Sequence, residues 1–260
     1  MNLAARIPVL MYHRVGDAHN DWEHRYCVTP QRFAEQMATL QAAGWKAITL
    51  AQFGDWLGKR TELPEKSFLL TFDDGFLGVH EHAAPVLSAI RWPAAVFLVS
   101  SLIGTRDIWC EKDNPSGTTY PLMDATQIRE LQDQGFSFGS HTRSHAELPA
   151  LDDAALFQEL SGSRSDLENL LGKRVEYLAY PFGRHDDRVM NAAMSAGYTC
   201  AFSTRSGFNR QNAPRFRLNR IDVFGTDTPR ALLRKITLGT NDGSVANAAR
   251  YYVKRALRFA

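Results

Sequence analysis

Residues 67–76 read SFLLTFDDGF, a mostly apolar run that leads directly into two adjacent carboxylates and a glycine, Asp73, Asp74 and Gly75. A short apolar run bounded by turn residues is the pattern of a buried strand. One Asp before Gly is ordinary turn chemistry, since its side chain satisfies local backbone donors. Two in succession repel each other, so the pair requires a cation, a proton or open water.

Working outward, three stretches share one local design: LQAAGWKAITL, LQDQGFSFGSH and AAMSAGYTCAFST. In each, a helix-like segment meets Gly44, Gly135 or Gly197, then an aromatic (Trp45, Phe136, Tyr198), then a short strand-like run. Glycine suits the left-handed position just past a helix end, so these are helix-to-strand units. Further strands are predicted at 8–12, 94–99, 175–180 and 218–223, and helices at 30–43, 79–90, 124–134, 152–171 and 186–196. Seven or eight alternating units, with no GxGxxG after any strand, favour an α/β barrel over a doubly wound open sheet. No Pro/Gly/Ser-rich linker divides the chain, and residues 1–260 are expected to form one domain. In it, 1–65 supply an N-terminal strand and helices, and 240–260 a C-terminal amphipathic helix.

The totals exclude several classes. With 260 residues, 44% hydrophobic, 22% charged and a net charge of +2, the composition is that of an ordinary globular protein, and no basic patch suggests a nucleic-acid partner. Cys27, Cys110 and Cys200 are odd in number and widely spaced, which argues against a disulfide framework or a CxxC metal site. The opening MNLAARIPVLMYHRV reaches His13 and Arg14 too soon for a signal-peptide core, and no stretch approaches the roughly 20 apolar residues of a membrane span, so a cytoplasmic location is expected. The final VANAARYYVKRALRFA places Arg250, Lys254, Arg255 and Arg258 opposite Val245, Ala249, Tyr252 and Leu257. Such a helix packs against a barrel or makes peripheral contact with a membrane.

Polar residues out of place after apolar runs mark three strand ends: Asp73 and Asp74; His141 and His145 in GSHTRSH; and Tyr180, Pro181 and His185 in AYPFGRHDD. In a barrel all three open onto one face. The histidines are four apart, so a helical turn after the strand would put both imidazoles on one side. A carboxylate added to them completes a metal site with two nitrogens and one oxygen. Neighbouring residues leaving a strand point to opposite sides, so Asp74 can reach a cation while Asp73 faces a substrate water as its general base. In the long loop 104–121, Trp109 and Tyr120 are placed either to stack on a ligand or to anchor the loop.

TFDDG (71–75), SHTRSH (140–145) and YPFG (180–183), in this order, resemble the motifs of the polysaccharide deacetylases with a NodB homology domain, carbohydrate esterase family four. The resemblance spans about 66–225, and PVLMYHRV (8–15) is similar to the exopolysaccharide-biosynthesis branch. It implies a deformed (β/α)7 barrel, a divalent metal, usually zinc, and hydrolysis of N-acetyl groups on amino sugars, commonly N-acetylglucosamine. It makes Asp73 the base and Asp74, His141 and His145 the metal ligands. The backbone N–H of Phe182 would stabilise the oxyanion, with Pro181 fixing the chain before it. Tyr180, Pro181, Trp109 and Arg220 are expected at the substrate. The implied partner is an acetylated amino-sugar oligosaccharide or polysaccharide, or, for a cytoplasmic enzyme, a lipid- or nucleotide-linked precursor.

Two departures stand out. Where the family carries Arg before its third motif this chain has Ala179; Arg220, in LNRIDV, can supply that charge paired with Asp222, or form a plain ion pair with it. The closing Leu-x-His motif is absent, since ITLGTND (236–242) has no histidine. The general acid must therefore come from elsewhere, and of His185 and His13 the choice falls on His13, which directly follows an apolar strand. Competing readings are an O-acetyl esterase, a small cyclic-amide hydrolase and a non-catalytic glycan-binding module. An intact Asp73 argues against the last.

Overall fold

The apolar run at 67–76 forms a strand, Ser67–Phe72, buried along its whole length, in the computed structural model of the chain, which describes residues 6–246 and 249. The chain begins with β1 (Val9–Tyr12), a small pair β2 (Arg14–Val15) and β3 (Cys27–Val28), α1 (Pro30–Ala42), β4 (Lys46–Ile48) and α2 (Leu50–Leu57). After β5 (Ser67–Phe72) come α3 (Ala84–Ala89), β6 (Ala95–Leu98), α4 (Ala125–Asp133), β7 (Ser137–Ser140), α5 (Asp153–Phe157) and α6 (Ser163–Leu171). β8 (Tyr177–Ala179), α7 (Asp187–Ser195), β9 (Cys200–Phe202), β10 (Ile221–Asp222) and α8 (Pro229–Leu238) complete the order. The predicted helices 79–90 and 152–171 are each interrupted by one π-helical turn, at Val79–Ala83 and Gln158–Gly162.

All the named pairings in the main sheet are parallel, in the order β10-β1-β5-β6-β7-β8-β9 with β4 also on β5. Leu218 bridges to Phe202 of β9 just before the chain enters β10, which pairs with β1. That one segment brings the two edges of the curled sheet together as the deformed (β/α)7 barrel expected from the sequence. Of the C-terminal helix expected over 240–260, residues 240–244 are not helical, and beyond them only Val245, Ala246 and Ala249 are among the described residues.

Strand alternation divides the core. Phe68, Leu70 and Phe72 of β5, Val96 and Leu98 of β6 and Leu178 of β8 pack with the surrounding helices. Their neighbours Val9, Leu69, Ala95, Phe97, Ala179 and Phe202 form a second cluster on the inner face, with Phe53 and Trp56 of α2. Continued upward, the inner rows run Val9–Met11–His13, Leu69–Thr71–Asp73, Gly139–His141 and Leu218–Arg220–Asp222. The register that makes the inner core thus delivers the polar groups to one mouth. Space inside is tight: a Cβ on Gly139 would lie 2.5 Å from the Phe97 ring.

Candidate active site and metal centre

Beyond β5 the backbone turns twice through left-handed conformations, with φ of 73° at Asp74 and 84° at Gly75. A Cβ on Gly75 would stand 2.7 Å from Leu98 Cδ2, so both the conformation and the space select glycine. The turn splits the aspartate pair. Asp74 Oδ1 lies 3.4 Å from His141 Nε2 and 3.3 Å from His145 Nε2, whereas Asp73 receives both Arg220 guanidinium nitrogens, Nη1 at 2.6 Å and Nη2 at 2.7 Å.

The two histidines converge by a route other than the expected helical turn. No helix separates them; Thr142 and His145 take positive φ values of 68° and 62°, and this left-handed turn folds His145 back onto His141. His141 Nδ1 donates to the Ala179 carbonyl at 2.8 Å, which protonates that nitrogen and leaves Nε2 with its lone pair toward Asp74. The ligand atoms of Asp74, His141 and His145 lie within 4.8 Å of one another. Asp74 Oδ1 and His145 Nδ1 are buried without a hydrogen-bond partner among the described residues. An orphaned carboxylate oxygen facing two imidazole nitrogens fits a divalent cation.

Electrostatics match this division. Burial alone would raise the Asp73 carboxyl, but the Arg220 charge, with His141 and the Arg220 hydrogen bonds, leaves it below its ordinary value. Burial likewise opposes ionisation of Asp74, yet the adjacent His145, with His141, holds it at about 2. His141 is pushed down to about 4, chiefly by burial, and so is neutral at physiological pH, the form that ligates metals.

Around this floor a cavity of about 570 Å³ is lined by most of the residues the sequence singled out. His13 stands at its edge, T-shaped on Tyr26 with ring centroids 5.5 Å apart. Trp109, from the loop after β6, stacks on His145 at 4.4 Å and 15°, and Phe182 meets the same imidazole edge-on at 4.7 Å. Phe182 is half exposed and its backbone is left-handed at φ 57°, just after buried Pro181.

Two expected substrate contacts are deeply buried. Tyr180 is fully buried in the cavity wall, its hydroxyl donating to the Phe216 carbonyl at 3.3 Å and its ring stacked on His185. Arg220 is also fully buried and pairs with Asp73 rather than Asp222; its Nε donates to the Ser203 carbonyl at 3.1 Å. Asp222 instead accepts from Asn241 Nδ2 at 2.7 Å and lines the cavity. Burial raises its pKa, with the charge of His13 the first of the effects that oppose this.

The sequence reading missed a second assembly in the wall. Glu23, 2% exposed, accepts from Arg14 Nη2 at 2.8 Å, from Asn114 Nδ2 at 3.0 Å and from the Tyr120 hydroxyl at 2.8 Å to each carboxylate oxygen. Burial opposes its ionisation, and these donors, with the His19 N–H, more than compensate and lower its pKa. The Arg14 guanidinium lies 3.4 Å above the Tyr120 ring centroid. Tyr120 is thus an anchor of loop 104–121. The one local signal was the clustering of Arg14 and Glu23 near His13. The three cysteines are free thiols, in line with their spacing.

Comparison with known proteins agrees with this geometry. A family profile described as polysaccharide deacetylase matches residues 60–201. The poly-beta-1,6-N-acetyl-D-glucosamine N-deacetylase of Staphylococcus epidermidis is 28% identical over 237 residues, covering 82% of this chain and 78% of its own. The structure of IcaB from Ammonifex degensii superposes with a TM-score of 0.72 at 27% identity, over 88% of this chain and 96% of that one. The Streptococcus pyogenes deacetylase PplD, in complex with acetate, shares the fold with a TM-score of 0.77 at 22% identity, over 90% and 99% of the two chains.

Proposed function

The chain belongs to the polysaccharide deacetylase family, and from that premise we propose that it hydrolyses the N-acetyl amide of N-acetylglucosamine units in an exopolysaccharide or its lipid- or nucleotide-linked precursor. The observation that carries this reading is the split aspartate pair: one carboxylate turned to two imidazoles, its neighbour clamped by a buried guanidinium. The relative from Staphylococcus epidermidis named above supports the choice of sugar.

Asp74, His141 and His145 would hold the divalent cation, and two imidazoles with one carboxylate suit zinc. When bound, the cation supplies Lewis acidity that lowers the pKa of water and polarises the acetyl carbonyl. The remaining tasks fall to the chain. Asp73, kept ionised by Arg220, accepts the proton of the attacking water. The Phe182 N–H donates to the oxyanion, and the left-handed backbone there aims it out of the preceding strand direction. His13 protonates the departing nitrogen, with Asp222 as its nearby carboxylate partner. Trp109, stacked on the His145 ring, and Phe182, edge-on to it, fix the orientation of that imidazole. Among the described residues no helix is long and apolar enough to cross a membrane; a cytoplasmic location, and with it a linked precursor as substrate, belongs to the proposal.

The test is acetate release from β-1,6-linked N-acetylglucosamine oligomers before and after chelation, with zinc restored. Release that stops on chelation and returns with zinc is the expected result. Release unaffected by exhaustive metal removal, or hydrolysis confined to acetyl esters, would refute the reading.

A further inference from the structure

Both histidines of the candidate centre present a ring nitrogen to Asp74, yet only one ring is pinned by a hydrogen bond. His141 Nδ1 donates to the Ala179 carbonyl, whereas His145 Nδ1 is buried without a hydrogen-bond partner among the described residues. The placement of His145 therefore depends on its backbone, a turn with left-handed residues at Thr142 and His145. A β-branched residue such as Thr142 does not hold that conformation on its own. Contacts from outside the turn have to impose it.

The helical run 153–171 supplies them. α5, the π-helical turn Gln158–Gly162 and α6 follow one another without a break, and the spacing of Glu159, Gly162, Ser163 and Asp166 puts them on one face. Each meets the segment that carries the two histidines. Glu159 Oε2 accepts from the Arg143 and Ser144 N–H groups, both at 2.9 Å, and its Oε1 accepts from the Ser144 hydroxyl at 2.6 Å. A Cβ on Gly162 would stand 3.3 Å from Arg143 Cδ. Ser163 Oγ lies 2.9 Å from Ser140 Oγ, which accepts from the Thr142 N–H at 3.0 Å. Asp166 accepts from Arg143 Nε at 3.2 Å. On the other side of the loop the N–H groups of Ser100 and Ser101 donate to the Thr142 and Arg143 carbonyls at 3.1 and 2.9 Å. Within this frame Glu159 alone takes two successive amides at the middle of the loop, through charge-assisted bonds. It sits in the π-helical turn, an irregularity that recurs at functional sites.

We propose that Glu159 is a positioning residue for the metal centre: its carboxylate locks loop 142–145 in the left-handed form and so holds His145 ready for the cation before the cation binds. The inference rests on the reading of Asp74, His141 and His145 as a metal site. Glu159 itself does not line the catalytic cavity.

The test measures zinc affinity of metal-free wild type, Glu159→Ala and Glu159→Gln by competition with a chromophoric chelator. The alanine variant should bind zinc about tenfold more weakly, the loss expected when an outer support of a ligand is removed. Glutamine can accept both amides with its carbonyl oxygen and donate its amide to the Ser144 hydroxyl, so it should bind within about twofold of the wild type. A purely structural role would lower stability in urea and leave the affinity of the folded protein alone. Unchanged affinity in Glu159→Ala, or equal losses in both variants, overturns the proposal. If the wild type binds zinc but releases no acetate, the activity assignment fails and the titration still decides Glu159. If the wild type binds no zinc, the metal reading fails, and NMR of the metal-free proteins decides whether Glu159 positions His145. In Glu159→Ala the Arg143 and Ser144 amides should then exchange about tenfold faster and the His145 ring signals should shift while those of His141 stay; unmoved His145 signals sink it.

Discussion

Replacing Arg220 by methionine isolates the contribution of the clamp on Asp73. The change removes two hydrogen bonds of 2.6 and 2.7 Å to a carboxylate that is 2% exposed, and one of 3.1 Å to the Ser203 carbonyl. It keeps an apolar stem against Phe97 and Phe202, over which the guanidinium now sits at 5.7 and 5.9 Å. Breaking a buried ion pair at one end costs about 3–5 kcal/mol, because the remaining charge is left uncompensated. For a chain of this size the melting temperature should fall by roughly 6–20 °C. The double variant Asp73→Asn/Arg220→Met removes both charges, so it should recover on the order of 2 kcal/mol relative to the sum of the single changes. Urea denaturation of the four proteins closes the cycle. With Arg220 gone, only the weaker influence of His141 and His13 opposes the burial of Asp73 and its carboxyl rises, so the acidic limb of the pH–rate profile moves to higher pH while metal content stays at the wild-type level. Additive single changes and an unmoved acidic limb would show that Arg220 does not set the state of Asp73.

His141→Ala and His145→Ala should each strip the metal, measured by plasma mass spectrometry, since three ligands define the site; full occupancy in either would dissolve the triad. His13→Ala should lower amide cleavage far more than cleavage of an acetyl ester, because an alkoxide departs unprotonated more easily than an amine anion, and equal losses would assign His13 to binding or structure. Burial raises Asp107 to about 6, above the ordinary carboxylate range, so the folded protein takes up a proton there at a higher pH than the unfolded chain does. The resulting instability grows as pH rises from about 4 to about 6 and persists above. Asp107→Asn should therefore gain stability over the wild type at pH 8 and converge with it below about pH 4 in urea denaturation; a difference independent of pH would count against this.

The sequence disclosed what depends on neighbours along the chain. SFLLTFDDGF betrays a buried strand because its apolar run and its turn residues are contiguous, and SHTRSH betrays a ligand pair for the same reason. The barrel followed from repeated helix–Gly–aromatic–strand units. Helices α2 and α8 carry weak local signals: LAQFGDWL is only eight residues long with Gly54 at its centre, and PRALLRKITL is short and runs straight into the turn-rich GTNDG. The route by which His145 reaches His141 was also hidden, since left-handed backbone at Thr142 is fixed by tertiary packing and not by that residue's own preference. Least legible were pairings between distant segments. Nothing near Arg220 names Asp73 as its partner, and nothing near Glu23 points to Asn114 and Tyr120, because an ion pair across a barrel leaves no local pattern in either strand.

The Asp73–Arg220 pair spans 147 positions of the chain, whereas Asp74 and His145 are held within the first 145 residues. Contacts between distant positions close later than nearer ones, since more chain entropy must be surrendered first. During synthesis the complete set of metal donors therefore emerges well before the guanidinium that keeps the neighbouring carboxylate charged. Order of assembly separates the two halves of the candidate centre in time: the residues that could hold a cation are all in place along the chain before the guanidinium that clamps Asp73, and the two halves meet only once the last strand has closed the ring.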